Sequence, residues 1–266
     1  HGDFKDIYWS DAAIYRRFMR YQTDWMGLTD SPQAHQGCPF DCGLCKNHKT
    51  GTLLGIIDVT SRCNLSCPIC FADAGNELNE PTISQIGAMM QALRDQMPVP
   101  CPAIQFSGGE PTLRKDLCEI VSLARKMGFA QIQVATNGIM LAVRPDLCKD
   151  LVYNGLCTIY LQFDGVTPES YKAIRGYDLL PTKLRAIDNL RAAGQHSIVL
   201  VPTLAKGIND DQVGDIVKFA FKNRDIVKGI NYQPVSFTGR IDQEERAAKR
   251  ITIPDVLALL EDQTNN

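Results

Sequence analysis

The chain has 266 residues, 44% hydrophobic and 22% charged, which is enough apolar material for one sizeable core. A formal net charge of -2 without a long basic block gives nucleic acid no electrostatic footprint, and no apolar run reaches the ~18–20 residues that span a bilayer. Ten cysteines, six of them in two tight triads, point to metal in a reducing compartment rather than to disulfides, with the cytoplasm as the simplest location.

The chain opens on His1 rather than Met and ends just after an amphipathic stretch, so a piece of a longer protein is expected. Residues 1–52 form a cysteine-rich extension. Within it Ile14, Phe18, Tyr21 and Trp25 recur at helical spacing, which predicts a helix packed on the main domain. Cys38, Cys42 and Cys45 follow in C-x3-C-x2-C spacing, with His48 close behind.

Residues 53–238 alternate strand and helix. Leu53 to Thr60 is an apolar, β-branched run that reads as a buried strand. It leads into a loop with Cys63, Cys67 and Cys70 in the same C-x3-C-x2-C spacing. Thr82 and Gln85 make a capping-box signal, and Ile83, Ile86, Met89, Met90, Leu93 and Met97 form one apolar helix face. Ala103 to Phe106 is the second strand, running into Ser107-Gly108-Gly109-Glu110-Pro111. A helix over Leu117 to Met127 stops at Gly128, and Ile132 to Ala135 is a third strand ending at Asn137.

A helix near 145–154 precedes the fourth strand, Thr158 to Phe163, with Gln162 and Asp164 at its end. Thr167 and Pro168 open the next helix. The helix over Thr182 to Gly194 turns Leu184, Ile187 and Leu190 inward. Ile198 to Val201 is a fifth strand with Thr203 at its end. Asn209 caps the helix of Val213, Ile216, Val217 and Phe221, and Gly229 to Gln233 is a sixth strand. Residues 239–266 hold a charged linker and a last helix opened by Thr252-Ile253-Pro254. Six such units imply an α/β fold with a parallel sheet, a partial (β/α)6 barrel of the TIM type, whose chemistry sits at the C-terminal edge of the strands.

Three thiols within the eight residues Cys63 to Cys70 suit a soft metal, and thiolates are the usual ligands of iron–sulfur clusters. Three close ligands satisfy three irons of a cubane and leave the fourth open to a small molecule. Structural zinc usually takes paired C-x2-C knuckles, so spacing alone favours iron only modestly. Cys101, Cys118, Cys148 and Cys157 show no ligand spacing and read as inert thiols. No Ser-His-Asp set or carboxylate pair suggests hydrolysis.

The triad after the first strand and the Gly-Gly-Glu segment after the second together resemble the radical S-adenosylmethionine (SAM) superfamily. The resemblance implies that Cys63, Cys67 and Cys70 bind a 4Fe-4S cluster. It implies that Gly108, Gly109 and Glu110 meet the SAM amino group, with the glycines letting the backbone approach the ligand. Reductive cleavage of SAM would give a 5′-deoxyadenosyl radical, fed by a donor such as ferredoxin or flavodoxin. Asn137 is placed for the SAM carboxylate or ribose, although an ordinary Asn-Gly turn explains it equally. Gln162 and Asp164 are candidate ribose contacts, and Thr203 and Gln233 are further candidates. Arg175 fits a common superfamily segment, and a surface ion pair explains it as well. Ile69 stands where the superfamily commonly has an aromatic residue, and the fifth-strand glycine pattern of some relatives is absent.

The longer segment from Cys38 to Ala72 resembles the class D radical SAM methyltransferases, which include pterin methylases and archaeal tetraether lipid synthases. That implies a small-molecule or lipid substrate, and either methyl transfer to an unactivated carbon or radical C–C coupling. A second metal centre is expected at Cys38, Cys42 and Cys45, whose spacing repeats that of the first triad. A second 4Fe-4S cluster is favoured there, with zinc held by three cysteines and His48 as the rival. An iron–sulfur or zinc module without SAM chemistry is the alternative of a different class, and the Gly-Gly-Glu segment weighs against it.

Overall fold

The computed structural model describes residues 11–21, 36, 51–75, 80–235 and 238–264. Helix α1, Ala12–Met19, starts where the Asp11 carboxylate accepts from the Ala13 and Ile14 amides. It buries none of its own residues, and Ile14 and Phe18 are 40% and 46% exposed. The packing expected of this helix is therefore not found among the described residues. Trp25, the triad Cys38, Cys42 and Cys45, and His48 lie outside them.

From β1, Leu54–Thr60, the chain alternates as expected. Helix α2, Ile83–Arg94, has the predicted capping box of Thr82 with Gln85. Its inward residues are Ile86 and Met90, whereas Met89 and Met97 are exposed. Then come β2 (Ala103–Gly108), α3 (Leu117–Lys126), β3 (Gln131–Thr136) and α4 (Ile139–Val143). Next are α5 (Pro145–Tyr153), β4 (Thr158–Gln162), α6 (Pro168–Arg175) and α7 (Leu180–Ala192). The one-turn helix α4 has no counterpart in the sequence expectation.

Strand β5, Ile198–Val201, is followed by β6, Thr203–Leu204, then α8, Val213–Lys222. The expected sixth strand is split into β7, Val227–Ile230, and β8, Gln233–Pro234. Pro202 has no N–H to donate, so the ladder breaks beside it and resumes as a short β6–β8 pair. The charged linker contains a helix, α9, Gln243–Ala248, started by Asp242 accepting from the Glu244 and Glu245 amides. Helix α10, Ile253–Thr264, closes the described chain.

The main sheet is parallel throughout and runs in the order β1-β2-β3-β4-β5-β7. Strand neighbours in sequence are neighbours in space, which is the order of a partial (β/α)6 barrel. Alternation along each strand sorts the side chains. Ile57, Val59, Ile104, Phe106, Ile132, Val134, Ile159 and Leu161 turn outward and form the core with the helices. Ile56, Asp58, Gln105, Ser107, Ala135, Tyr160 and Gln162 occupy the other set of positions and line a cavity. On α7 the buried positions are Lys183, Ala186, Ile187 and Leu190, while Leu184 is 40% exposed. The apolar stripe is thus rotated by one position, and a lysine completes it. Among the described residues no helix is long and apolar enough to cross a membrane.

Candidate functional site

The cavity has a volume of about 730 Å³ and opens at the C-terminal ends of the strands. Cys63, Cys67 and Cys70 line it from the loop after β1. Gly108, Gly109 and Glu110 line it from the end of β2. Asn137, Gln162, Thr203 and Gln233 complete the wall from the later strands. Of the residues proposed from the sequence, Asp164 alone among those described lies behind the wall.

The glycines, which line the cavity, also serve the contact between two chain segments. The Gly109 amide donates to Thr60 O at 2.7 Å, and the Glu110 amide donates to Arg62 O at 2.7 Å. A Cβ on Gly108 would lie 2.1 Å from Thr60 O, and one on Gly109 would lie 2.2 Å from Arg62 O. Gly108 also has φ +128°, where side chains are strained. What demands glycine here is therefore the approach of one chain segment to another. It welds the Gly-Gly-Glu segment to the start of the cysteine loop.

Glu110 is fully buried. Its Oε1 accepts from Thr112 N (3.1 Å), Thr112 Oγ1 (2.5 Å) and Thr136 Oγ1 (2.6 Å). Its Oε2 accepts from Asn137 N at 2.7 Å and keeps room for one more donor. The Asn137 side chain donates to Asn64 Oδ1 at 2.7 Å, inside the cysteine loop, and accepts from the Ile139 amide. Asn137 thus forms the Asn-Gly turn and also braces the loop.

Asp164 is not a wall residue but a buried anchor. Its carboxylate takes two 2.8 Å bonds from Arg175, one from Nε and one from Nη2. The same guanidinium donates to Thr203 Oγ1 at 2.8 Å and to Ile69 O at 3.3 Å. Asp164 is fully buried and Arg175 nearly so, which replaces the surface pair expected for Arg175. Asn209 sits at the expected N-cap position, before the 3-10 turn Asp210–Gln212 that leads into α8, but its side chain donates to Asp164 O and Thr203 O and accepts from Ala205 N. The ends of β4 and β6 are thereby tied to the loop of Cys67 and Cys70.

Arg240, in the linker, was not singled out by sequence. Its backbone exchanges two hydrogen bonds with Cys70, of 2.8 and 3.0 Å. Its guanidinium donates to Asp73 Oδ1, Cys67 O and Ala74 O. Two arginines therefore hold the cysteine loop, one from inside the barrel and one from the C-terminal segment.

The sequence profile described as the Radical SAM superfamily matches residues 57–220. The chain belongs to this superfamily. It is 52% identical over 267 residues to the 7,8-dihydro-6-hydroxymethylpterin dimethyltransferase of Methanocaldococcus jannaschii, covering 100% of this chain and 52% of that protein. It is 31% identical over 189 residues to a GTP 3′,8-cyclase of Listeria monocytogenes, covering 69% of this chain and 55% of that protein. The chain thus spans about half the length of these curated relatives. Among solved structures, Streptococcus suis SuiB bound to S-adenosylmethionine superposes with a TM-score of 0.64 at 17% identity, covering 81% of this chain and 47% of that one. HydG, a maturase of FeFe-hydrogenase, gives 0.64 at 12% identity, covering 79% and 50%. At these identities the likeness is one of fold.

The cysteine loop of this radical SAM chain suits an iron–sulfur cluster. Among the described residues no three His, Cys, Asp or Glu side chains converge on one ion. A cubane asks for something else, three thiolates bound to three separate irons. Burial pushes the Cys63 and Cys67 thiols up, and the neighbouring thiols add to this, while Arg175 pulls Cys67 back. The Cys63 and Cys67 thiolates therefore need cationic metal to hold them ionised. The open capacity of Glu110 Oε2 at the cavity edge suits an ammonium group.

Lys183 also escaped the sequence. It is fully buried beneath the wall, with Nζ 2.5 Å from Asn137 O and 3.1 Å from Gln162 Oε1. By occupying the Gln162 oxygen it leaves the amide nitrogen free to donate. Burial pulls the Lys183 pKa down to about 8; Asp164, Glu110 and Cys67 favour its charge and Arg175 opposes it. Between about pH 8 and its ordinary 10.5 the unfolded chain therefore binds more protons, so stability rises with pH across that window. In Lys183→Met this rise should flatten, measured as urea midpoints at several pH values. Identical slopes would contradict a charge-disfavouring site.

Proposed function

We propose that the chain is the SAM-cleaving core of an enzyme that methylates a pterin at an unactivated carbon. The observation that carries this is the 52% identity to the pterin dimethyltransferase, which runs the whole length of this chain. Cys63, Cys67 and Cys70 would hold a 4Fe-4S cluster, and Glu110 would receive the ammonium of SAM. When bound, the cluster and SAM supply one-electron chemistry at carbon. The chain's own residues do the positioning. Arg175 and Arg240 fix the loop, Gly108 and Gly109 bring the SAM-binding segment against it, and Lys183 orients Gln162 and the Asn137 carbonyl. A small redox protein such as ferredoxin or flavodoxin would supply electrons in the cytoplasm.

Pterin and the guanine of GTP, the substrates named for the two relatives, share a 2-amino-4-oxopyrimidine ring. The cavity wall offers Asp58, Gln105, Tyr160, Asn231 and Gln233 to such a ring. Cys38, Cys42 and Cys45 are proposed to bind a second 4Fe-4S cluster, because their spacing repeats that of the first triad.

The test is anaerobic turnover of the full-length protein with SAM, a reductant and the dihydropterin, followed by mass spectrometry. Formation of 5′-deoxyadenosine and a methylated pterin is expected. SAM cleavage that never methylates pterin would refute the substrate; no SAM cleavage would refute the activity.

A further inference from the structure

One acid in the cavity has no part in the cluster and SAM site. Asp58 lies on β1 two residues before Thr60, about 7 Å below the strand end at the rise of a strand. It lines the cavity and is exposed there. No hydrogen bond or ion pair among the described residues engages its carboxylate. Glu110, the other acid on this wall, already accepts four hydrogen bonds. Asp58 is thus the one acid among the described lining residues with both carboxylate oxygens open to a ligand.

The strand register shapes what lies beside it. Asp58 pairs with Ser107 on β2, and Ala135 on β3 pairs with Tyr160 on β4. The pairing of Phe106 with Val134 puts Ser107 and Ala135 at the same level. Two small side chains therefore floor the wall between Asp58 and Tyr160, three strand spacings or about 14 Å apart along the sheet. At the far side the Tyr160 hydroxyl meets the side-chain amides of Asn231 and Gln233. The result is a slot with an acceptor at one end and a polar cluster at the other.

A carboxylate only accepts, and covering it without donors costs several kcal/mol, so a ligand laid over Asp58 must bring N–H groups. Two parallel N–H donors match its two oxygens best. A 2-amino-4-oxopyrimidine presents such a pair, its amino group and the adjacent ring N–H. We propose that Asp58 is the specificity-determining residue of this site, binding that edge of a flat bicyclic substrate laid across Ser107 and Ala135. The proposal rests on the pterin substrate argued above and adds the residue that selects it.

The test is equilibrium binding to full-length protein carrying its cluster and SAM, read by quenching of ligand fluorescence. The probes are pterin itself and lumazine, the same bicyclic ring with a carbonyl in place of the 2-amino group. Wild type should bind the pterin at least about tenfold more tightly than lumazine. Asp58→Asn should lose at least about tenfold for the pterin and most of the discrimination, while cluster absorbance and SAM affinity persist. Equal pterin affinity in wild type and Asp58→Asn would overturn the role of Asp58 and leave the pterin substrate standing. Wild type that binds lumazine as tightly as the pterin would overturn it too, and this comparison decides the matter even if the variant fails to fold. Wild type that binds SAM but no pterin would refute the substrate itself, and Asp58's role with it.

Discussion

Replacing Arg175 with methionine should cost about 3–5 kcal/mol of stability, because it leaves the Asp164 carboxylate buried without a counter-charge. Thr203 and the Ile69 carbonyl lose a donor in the same step. The damage should therefore reach the metal site, with less iron retained after reconstitution. Equilibrium urea unfolding measures the first effect and iron analysis the second. The double variant Arg175→Met with Asp164→Leu should recover part of the loss, since no lone charge then remains. A single variant as stable as wild type would show that the pair is solvated in solution and not the anchor described here.

Gly108→Ala should be strongly damaging for so small a substitution. The backbone strain at φ +128° alone costs about 1–3 kcal/mol. The new methyl would also sit 2.1 Å from Thr60 O, a backbone atom of the strand end that carries the cysteine loop. One of the two segments must move, and the Gly109 and Glu110 amides lose their acceptors when it does. A lower unfolding midpoint together with loss of SAM binding is expected. Binding of SAM at wild-type affinity by this variant would mean that the weld between the two segments is dispensable.

Much of this site could be read from the sequence, since its signals are local. Cys63, Cys67 and Cys70 fall within eight residues, and the Gly-Gly-Glu segment is contiguous, so the strand-helix alternation was enough to place both at one edge. What escaped depends on direction and distance. Gln162 and Asp164 both follow an apolar strand, and only the folded backbone turns one toward the cavity and the other behind it. Arg175 reads like any helix-terminal basic residue until its carboxylate partner, 11 positions earlier, is seen to be buried with it. Lys183 hid because the stripe Leu184, Ile187 and Leu190 is helical in period, yet the buried face is turned by one residue. Arg240 hid in a charged linker, since the backbone pairing that gives it a role joins it to Cys70 from far along the chain.

The central claim is that Cys63, Cys67 and Cys70 hold a cluster with one iron open to SAM. It is tested most directly by electron paramagnetic resonance of the reduced, full-length protein, with and without SAM. A Cys38/Cys42/Cys45 triple-alanine variant removes any contribution from the other triad. In that variant the cluster signal should persist and shift when SAM is added, and adding Cys67→Ala should abolish the shift. A signal indifferent to SAM in the triple variant, or a SAM-dependent shift that survives Cys67→Ala, would contradict the account.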